Sequence, residues 1–235
     1  MSLSIHRSYE RGTADHGWLN SRFSFSFADY HNTVRMGFGA LRVINDDLIE
    51  AGSGFGMHPH KNMEIVSIVM KGSLEHKDSE GNHGIINAGE IQYMSAGSGV
   101  FHSEYATPDS DTSIFQIWIH PNQNGGTPLY EQRSFIHHDK TDKWVTLISG
   151  DGRENSITIK QDAAICSTEL TKGKVIPIPK VKSGHGRLLF IIEGKVDINH
   201  QILEPRDELQ ITDEEEYTLT ALSESKVLVF DVPMH

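Results

Sequence analysis

One pattern occurs twice in this chain, once in each half. Residues 64–76 read EIVSIVMKGSLEH and residues 186–198 read GRLLFIIEGKVDI, which in both cases is an apolar strand, a charged residue, a glycine and a second strand. A weaker similarity links residues 89–92 (GEIQ) with residues 207–210 (DELQ). A repeat of this size indicates two similar β units in tandem. We expect an N-terminal barrel over residues 1–130, a C-terminal barrel over residues 131–235, and a linker within residues 123–157.

Strand signals dominate the rest of the chain. Residues 22–27 (RFSFSF) alternate between polar and apolar side chains, a pattern typical of a half-buried strand. Clusters of Gly, Asn, Asp and Ser separate the other candidate strands, which cover residues 38–44, 64–70, 91–94, 99–105 and 113–120. Helical periodicity is limited to short candidate turns, for example over residues 130–135. Many short strands with close turn signals predict an all-β protein built from sandwiches or barrels.

Composition excludes several function classes. The chain has 235 residues, enough for one large or two small domains, and a net charge of -11 that argues against direct binding of nucleic acid. Cys166 is the single cysteine, so an intramolecular disulfide and a multi-cysteine metal site are excluded. The N-terminus has no apolar targeting segment, and no later apolar run approaches the roughly 20 residues that cross a bilayer. These observations predict a cytoplasmic protein.

Four residues of the N-terminal half have the spacing of a metal site. His58 and His60 are two positions apart, and so are His102 and Glu104, which places each pair on one face of a strand. If the two strands are neighbours in a barrel, all four side chains converge on its interior. A single histidine is more often a surface or core residue, but two such pairs together predict a metal centre. In the C-terminal repeat these positions are taken by other residue types, namely Lys180, Lys182, Thr220 and Leu222, so we expect that barrel to lack the ligands.

Several motifs resemble those of a known family. They are residues 16–19 (HGWL), 41–47 (LRVINDD), 54–60 (GFGMHPH), 95–99 (SAGSG), 102–104 (HSE), 116–119 (QIWI) and 130–133 (YEQR). The chain resembles the pirins of the cupin superfamily, and is most similar to the bacterial pirin-like quercetin 2,3-dioxygenases. The resemblance is close in the N-terminal half and general in the C-terminal half. It implies a bicupin fold of two tandem double-stranded β-helix (jelly-roll) barrels.

The resemblance also assigns the ligands. It implies that His58, His60, His102 and Glu104 bind one divalent ion, Fe(II) in the first place, with Mn, Co, Ni or Zn as alternatives. The general cupin pattern would use Glu64 as the carboxylate ligand instead. The pirin arrangement favours Glu104, and Glu64 stays the alternative.

An activity follows from the same resemblance: a dioxygenase that cleaves flavonols such as quercetin with O2. Glu104 would accept the proton of the flavonol hydroxyl and is therefore the candidate catalytic residue. Side chains near the ligands are candidates for substrate binding, although they would also fill a barrel interior in any case: Phe55, Met57, Met63, Gln116 and Trp118. Two alternatives remain, a metal-dependent regulatory pirin that binds a protein partner without turnover, and a zinc isomerase of the cupin type.

Overall fold

The computed structural model describes residues 3–234 and is built almost entirely of strands. The first twelve are β1 (Leu3–His6), β2 (Gly12–Asp15), β3 (Leu19–Phe23), β4 (Leu41–Ile49), β5 (Gly54–His60), β6 (Glu64–Lys71), β7 (Ser73–Asp78), β8 (His83–Asn87), β9 (Glu90–Ser95), β10 (Val100–Ala106), β11 (Thr112–Ile119) and β12 (Leu129–Ser134). The others are β13 (Val145–Ser149), β14 (Ile157–Thr158), β15 (Ala164–Leu170), β16 (Val175–Pro177), β17 (His185–Glu193), β18 (Val196–Ile198), β19 (Gln201–Leu203), β20 (Glu208–Ile211), β21 (Thr218–Ala221) and β22 (Ser225–Pro233). Helical structure in the described residues consists of two 3₁₀ segments, Ser8–Glu10 and Arg153–Asn155. The all-β prediction is confirmed.

The described residues form two compact units, one of residues 12–137 and one of residues 138–234 together with residues 3–11. In the first unit a seven-stranded sheet has the order β12-β9-β6-β11-β4-β3-β2, and a four-stranded sheet has the order β5-β10-β7-β8. In the second unit the sheets have the orders β1-β20-β17-β22-β15-β13-β14 and β16-β21-β18-β19. The seven-stranded sheets of the two units have equivalent strand orders, in which β6 of the first unit corresponds to β17 of the second. Both of these strands lie at the start of the sequence repeat. Gly72 and Gly194, on which the repeat is aligned, both have a positive φ, of 74° and 82°.

The residue bounds of the two units differ from those expected for the two barrels. Residues 3–6 form β1, which pairs with β20 of the second unit and does not belong to the first barrel, contrary to the expectation from the sequence. The expectation of residues 1–130 for the first barrel is therefore wrong at this end. The expected boundary at residue 130 falls inside β12, which pairs with β9 of the first unit. β12 and β1 have equivalent positions in their sheets. Each is the edge strand beside a strand of the repeat, β9 for β12 and β20 for β1. An uncovered edge would present unpaired backbone groups, and a neighbouring segment of chain satisfies them. The same pairing corrects the candidate helical turn over residues 130–135, which is a strand.

The interior of the first unit consists of layers. One apolar cluster at one end includes Leu19, Ile49, Val69, Leu74 and Ile114. A second apolar cluster contains Ile65, Met94, Ala96 and Val100, with Met63 and Trp118 packed against it. Inward positions of the strands between these clusters carry polar and ionisable side chains instead. This polar layer is where the candidate site lies.

The two units differ in what fills them. The interior of the second unit is an apolar cluster that includes Leu189, Ile191, Leu209, Val227 and Val229.

Across residues 3–234, neither helical segment has the length and apolar composition that crossing a bilayer requires.

Candidate metal centre

Three histidines from two paired strands meet in the polar layer. His58 and His60 lie on β5, and His102 on the neighbouring β10 is directly opposite His58. The ring centroid of His102 is 4.4 Å from that of His58 and 4.9 Å from that of His60, and the His58 and His60 centroids are 4.9 Å apart. One ring nitrogen of each lies within 4.8 Å of the others, so the three can ligate one ion. The structure thus brings together three of the four predicted ligands.

The local sequence explains this geometry. Along β10 the buried residues are Val100, His102, Glu104 and Ala106, while Phe101 and Tyr105 are exposed, as the two-residue period of a strand requires. A side chain at Gly54 could not be accommodated, because its Cβ would lie 2.2 Å from the backbone oxygen of Glu104. Glycine there allows β5 to approach β10 closely enough for the imidazoles to meet.

Glu104 is buried at the edge of the site and accepts hydrogen bonds from three donors. Its Oε1 accepts hydrogen bonds from Gln92 Nε2 at 2.6 Å and from Ser67 Oγ at 3.2 Å, and its Oε2 accepts one from Gln116 Nε2 at 2.8 Å. Burial by itself would raise the pKa of Glu104, but the imidazoles of His102 and His76 and the two amide donors outweigh it and lower the pKa. The side chain is therefore a carboxylate at neutral pH. It lies next to His102, within 4.8 Å of a ring nitrogen.

Glu64, the alternative carboxylate, is in a different environment. It is buried at the start of β6, where Tyr93 Oη donates to its Oε2 and Ser95 Oγ donates to its Oε1 at 2.8 Å. Among the described residues, the groups that could hold a metal include Glu104 and do not include Glu64. The geometry favours Glu104 as the carboxylate of the site.

His76 is a further histidine beside the site, in addition to the predicted ligands. It is completely buried on β7 and forms a second close group with His102 and Glu104, whose ligand atoms lie within 4.8 Å of one another. Its Nε2 is 3.1 Å from Asp78 Oδ2, and its ring stacks on Tyr130 with centroids 4.6 Å apart. The alternation of Leu74, His76 and Asp78 on one face of β7 is a signal that could have found it.

The imidazoles are electrically suited to bind a cation. Burial, followed by the neighbouring imidazoles, lowers the pKa of His60 to about 4, and burial lowers that of His102 to about 4 as well. Both rings are consequently neutral at pH 7, the form that ligates metals. The Nδ1 of His58 is 2.7 Å from the carbonyl oxygen of Gly56, which leaves its Nε2 available. Neither nitrogen of the buried His102 has a hydrogen-bond partner within residues 3–234. Neutral imidazoles beside a carboxylate fit a divalent transition metal.

A cavity of about 260 Å³ opens beside this cluster and is lined by His58, His60 and Glu104. Three of the five side chains predicted to contact substrate line it, namely Phe55, Gln116 and Trp118. Met57 and Met63 do not line it. Met57 points outward and is 54% exposed, because strand alternation that turns His58 inward turns its neighbour out. Met63 packs against the apolar cluster of Ile65 and Met94.

The second unit has different chemistry at the repeat positions. Lys182 pairs with Asp162 and Lys180 with Glu216, both at the exposed surface. Thr220 lies on β21 opposite Asp197. Within residues 3–234, both groups with metal-ligand geometry belong to the first unit.

Comparisons with known families and proteins agree with this architecture. The family model Pirin matches residues 5–119, and the model Quercetinase C-terminal cupin domain matches residues 146–232. A protein of Escherichia coli (strain K12) named quercetin 2,3-dioxygenase is 44% identical over 232 residues, which cover 98% of this chain and 99% of that protein. The chain belongs to the pirin family.

Solved pirin structures resemble this one closely. The crystal structure of YhhW from Escherichia coli has a TM-score of 0.94 at 43% identity, and the match covers 98% of this chain and 97% of that one. The bacterial pirin YhhW in complex with nickel(II) has a TM-score of 0.93 at 42% identity, covering 98% and 99% of the two chains. The expected pirin bicupin fold is confirmed.

Proposed function

We propose that this pirin is a metal-dependent dioxygenase that cleaves flavonols such as quercetin with O2. The observation that carries the proposal is the cluster of three imidazoles with a buried carboxylate, next to a cavity with aromatic walls. The names of the related proteins support the same substrate class. We propose Fe(II) as the ion, with Mn, Co, Ni and Zn as alternatives, because this donor set accepts all of them.

His58, His60, His102 and Glu104 would hold the ion. A bound divalent ion supplies a Lewis acid that lowers the pKa of a hydroxyl group placed next to it. A carboxylate has about four acceptor positions, and hydrogen bonds from Ser67, Gln92 and Gln116 occupy three at Glu104. The remaining position, at Oε2, would bind the ion, and it would accept the hydroxyl proton of the substrate only while Glu104 is not bound to the ion. On that condition we propose Glu104 as the proton acceptor of the reaction, with its carboxylate oriented by the three donors.

Aromatic side chains would orient a flat substrate. The ring of Trp118 meets His60 edge to face at 4.9 Å and Phe27 at 5.3 Å, and its Nε1 donates to Gln116 Oε1 at 3.3 Å. Phe55 is held edge to face by Trp18 at 5.3 Å. Rings fixed in this way form a rigid apolar slot beside the ligands, which aligns the substrate and excludes water.

The test is an aerobic assay of protein loaded with each metal, which follows the loss of quercetin absorbance. We expect turnover that requires O2 and that Glu104→Gln reduces strongly, since the amide cannot take a proton. An anaerobic control separates this activity from a zinc isomerase, which needs no oxygen. Absence of turnover with Fe, Mn, Co, Ni and Zn would refute the dioxygenase proposal.

One observation favours a second candidate, binding to a protein partner without turnover. The outward face of β5 and β10 exposes large apolar side chains, with Met57 54%, Phe101 52% and Tyr105 39% exposed. Exposed apolar groups that lie together mark interaction surfaces. Replacing Phe101 by Ser should abolish binding to such a partner and leave metal content unchanged, whereas unchanged binding would argue against this interaction surface.

A further inference from the structure

A row of polar side chains crosses the inner face of the large sheet in the first unit. Gln92 on β9 is opposite Ser67 on β6, Ser67 is opposite Gln116 on β11, and Gln116 is opposite Asn45 on β4. The first three donate hydrogen bonds to Glu104. Asn45 lies on the next strand, β4, and is not among the donors to Glu104.

The amide of Asn45 is buried and directed at the cavity. Asn45 is 3% exposed and lines the cavity, and within residues 3–234 its Oδ1 has no hydrogen-bond partner. A buried carbonyl oxygen without a donor is unfavourable, and native proteins satisfy nearly all such atoms. The cavity is the side from which a donor can reach it.

Other polar groups surround this amide. Asp47 lies two residues along β4 with its side chain on the same face, and it is opposite Ser21 on β3. Both are buried and line the cavity together with His16. Directly opposite strand residues are roughly 5 Å apart, so Asn45 lies about that far beyond Gln116 from the carboxylate of Glu104.

We propose that Asn45, with Ser21 and Asp47 beside it, recognises a hydroxyl group on the substrate that is remote from the group bound at the metal. An amide offers an acceptor and donors, and a hydroxyl group is complementary to both. The substrate class is therefore a flat aromatic enol with at least one further hydroxyl. This inference rests on the proposed function and adds to it the selection of hydroxylated over plain aromatic enols.

The experiment compares two flavonols, quercetin and 3-hydroxyflavone, which has no hydroxyl beyond the enol. With unaltered metal-loaded protein we expect kcat/KM for quercetin to be roughly tenfold or more above that for 3-hydroxyflavone. A site built to bind a hydroxyl group has unpaired polar groups when the bound compound lacks that hydroxyl. Asn45→Leu keeps the side-chain size and removes the amide. It should lower kcat/KM for quercetin about tenfold and change that for 3-hydroxyflavone less than about twofold. Leu48→Ala is the matched control, because Leu48 lies on the outward face of the same strand and is 47% exposed.

Equal kcat/KM values for both compounds with unaltered protein would overturn the inference, and that result needs no variant to fold. An equal loss for both compounds in Asn45→Leu at unchanged metal content would also overturn it, since Asn45 would then be a structural residue whose amide a water satisfies. If neither compound is cleaved, the proposed function fails. The subsite is then tested by anaerobic titration of metal-loaded protein, where tighter binding of quercetin that Asn45→Leu removes supports it and equal binding of both compounds contradicts it.

Discussion

The hydrogen bond between Gln92 and Glu104 gives the sharpest prediction. Gln92 is completely buried, does not line the cavity, and donates its Nε2 to Glu104 Oε1 at 2.6 Å, a short bond to a charged group. Gln92→Leu keeps the volume and removes the donor. Hydrogen bonds to charged groups contribute about 1.5–3 kcal/mol, so metal-free protein at pH 7 should lose roughly that much free energy of unfolding. For a chain of 235 residues this corresponds to a fall in Tm of about 3–12 °C.

The pH dependence of the free energy of unfolding shows whether the loss in Gln92→Leu comes from the charge of Glu104. Glu104 has a lowered pKa in the folded protein, so its ionised form adds stability above the pKa of the unfolded state, and this stability is lost as the pH falls through the folded pKa. Gln92→Leu should bring the pKa of Glu104 back toward its usual range and flatten this acid limb.

Urea unfolding of metal-free protein at several pH values measures both effects. Ser67→Ala is the graded control, because Ser67 donates to the same oxygen over the longer distance of 3.2 Å and should cost less. In a Glu104→Gln background the cost of Gln92→Leu should nearly vanish. An equal cost in both backgrounds would refute the reasoning, since Gln92 would then act through packing alone.

Three further predictions concern the ligands and the repeat. His58→Ala should sharply reduce metal content, measured by metal analysis, and turnover, measured by the quercetin assay. His83→Ala, at an exposed histidine of β8, should leave both values unchanged. Burial lowers the pKa of His102 from 6.5 to about 4, so metal-free protein should lose up to about 3 kcal/mol of stability as the pH falls through that range, and a flat urea-unfolding profile would contradict the neutral ring. Gly72→Ala should destabilise more than Gly81→Ala by thermal unfolding, because both have a positive φ but only the Cβ at Gly72 would meet a carbonyl oxygen, 2.6 Å away.

Local patterns were sufficient to predict the repeat and several strands, whereas the strand expected over residues 22–27 ends at Phe23 in the structure. Expected strands over residues 64–70 and 99–105 correspond to β6 (Glu64–Lys71) and β10 (Val100–Ala106) within one residue at each end. The i, i+2 spacing of His58, His60 and of His102, Glu104 predicted a shared face because side-chain direction in a strand follows from spacing alone. That part of the fold is encoded locally.

The remaining features depend on pairing between distant residues. The spacing of His58 and His60 gives no indication that His76 is behind His102, since β7 joins β10 from the other side. The donors to Glu104 come from three strands of the other sheet, and only the register brings Gln92, Ser67 and Gln116 into one row. Likewise, residues 3–6 belong to the second unit because β20 offers a sheet edge, which the N-terminal sequence does not reveal.

The central claim is that His58, His60, His102 and Glu104 hold one divalent ion inside the first unit. Anomalous diffraction from crystals of nickel-loaded protein, measured on both sides of the nickel absorption edge, tests it most directly. We predict one strong peak per chain within bonding distance of a nitrogen of each histidine and of an oxygen of Glu104. A peak centred elsewhere, for example on His76 and Asp78, or no peak in fully loaded protein, would contradict the account.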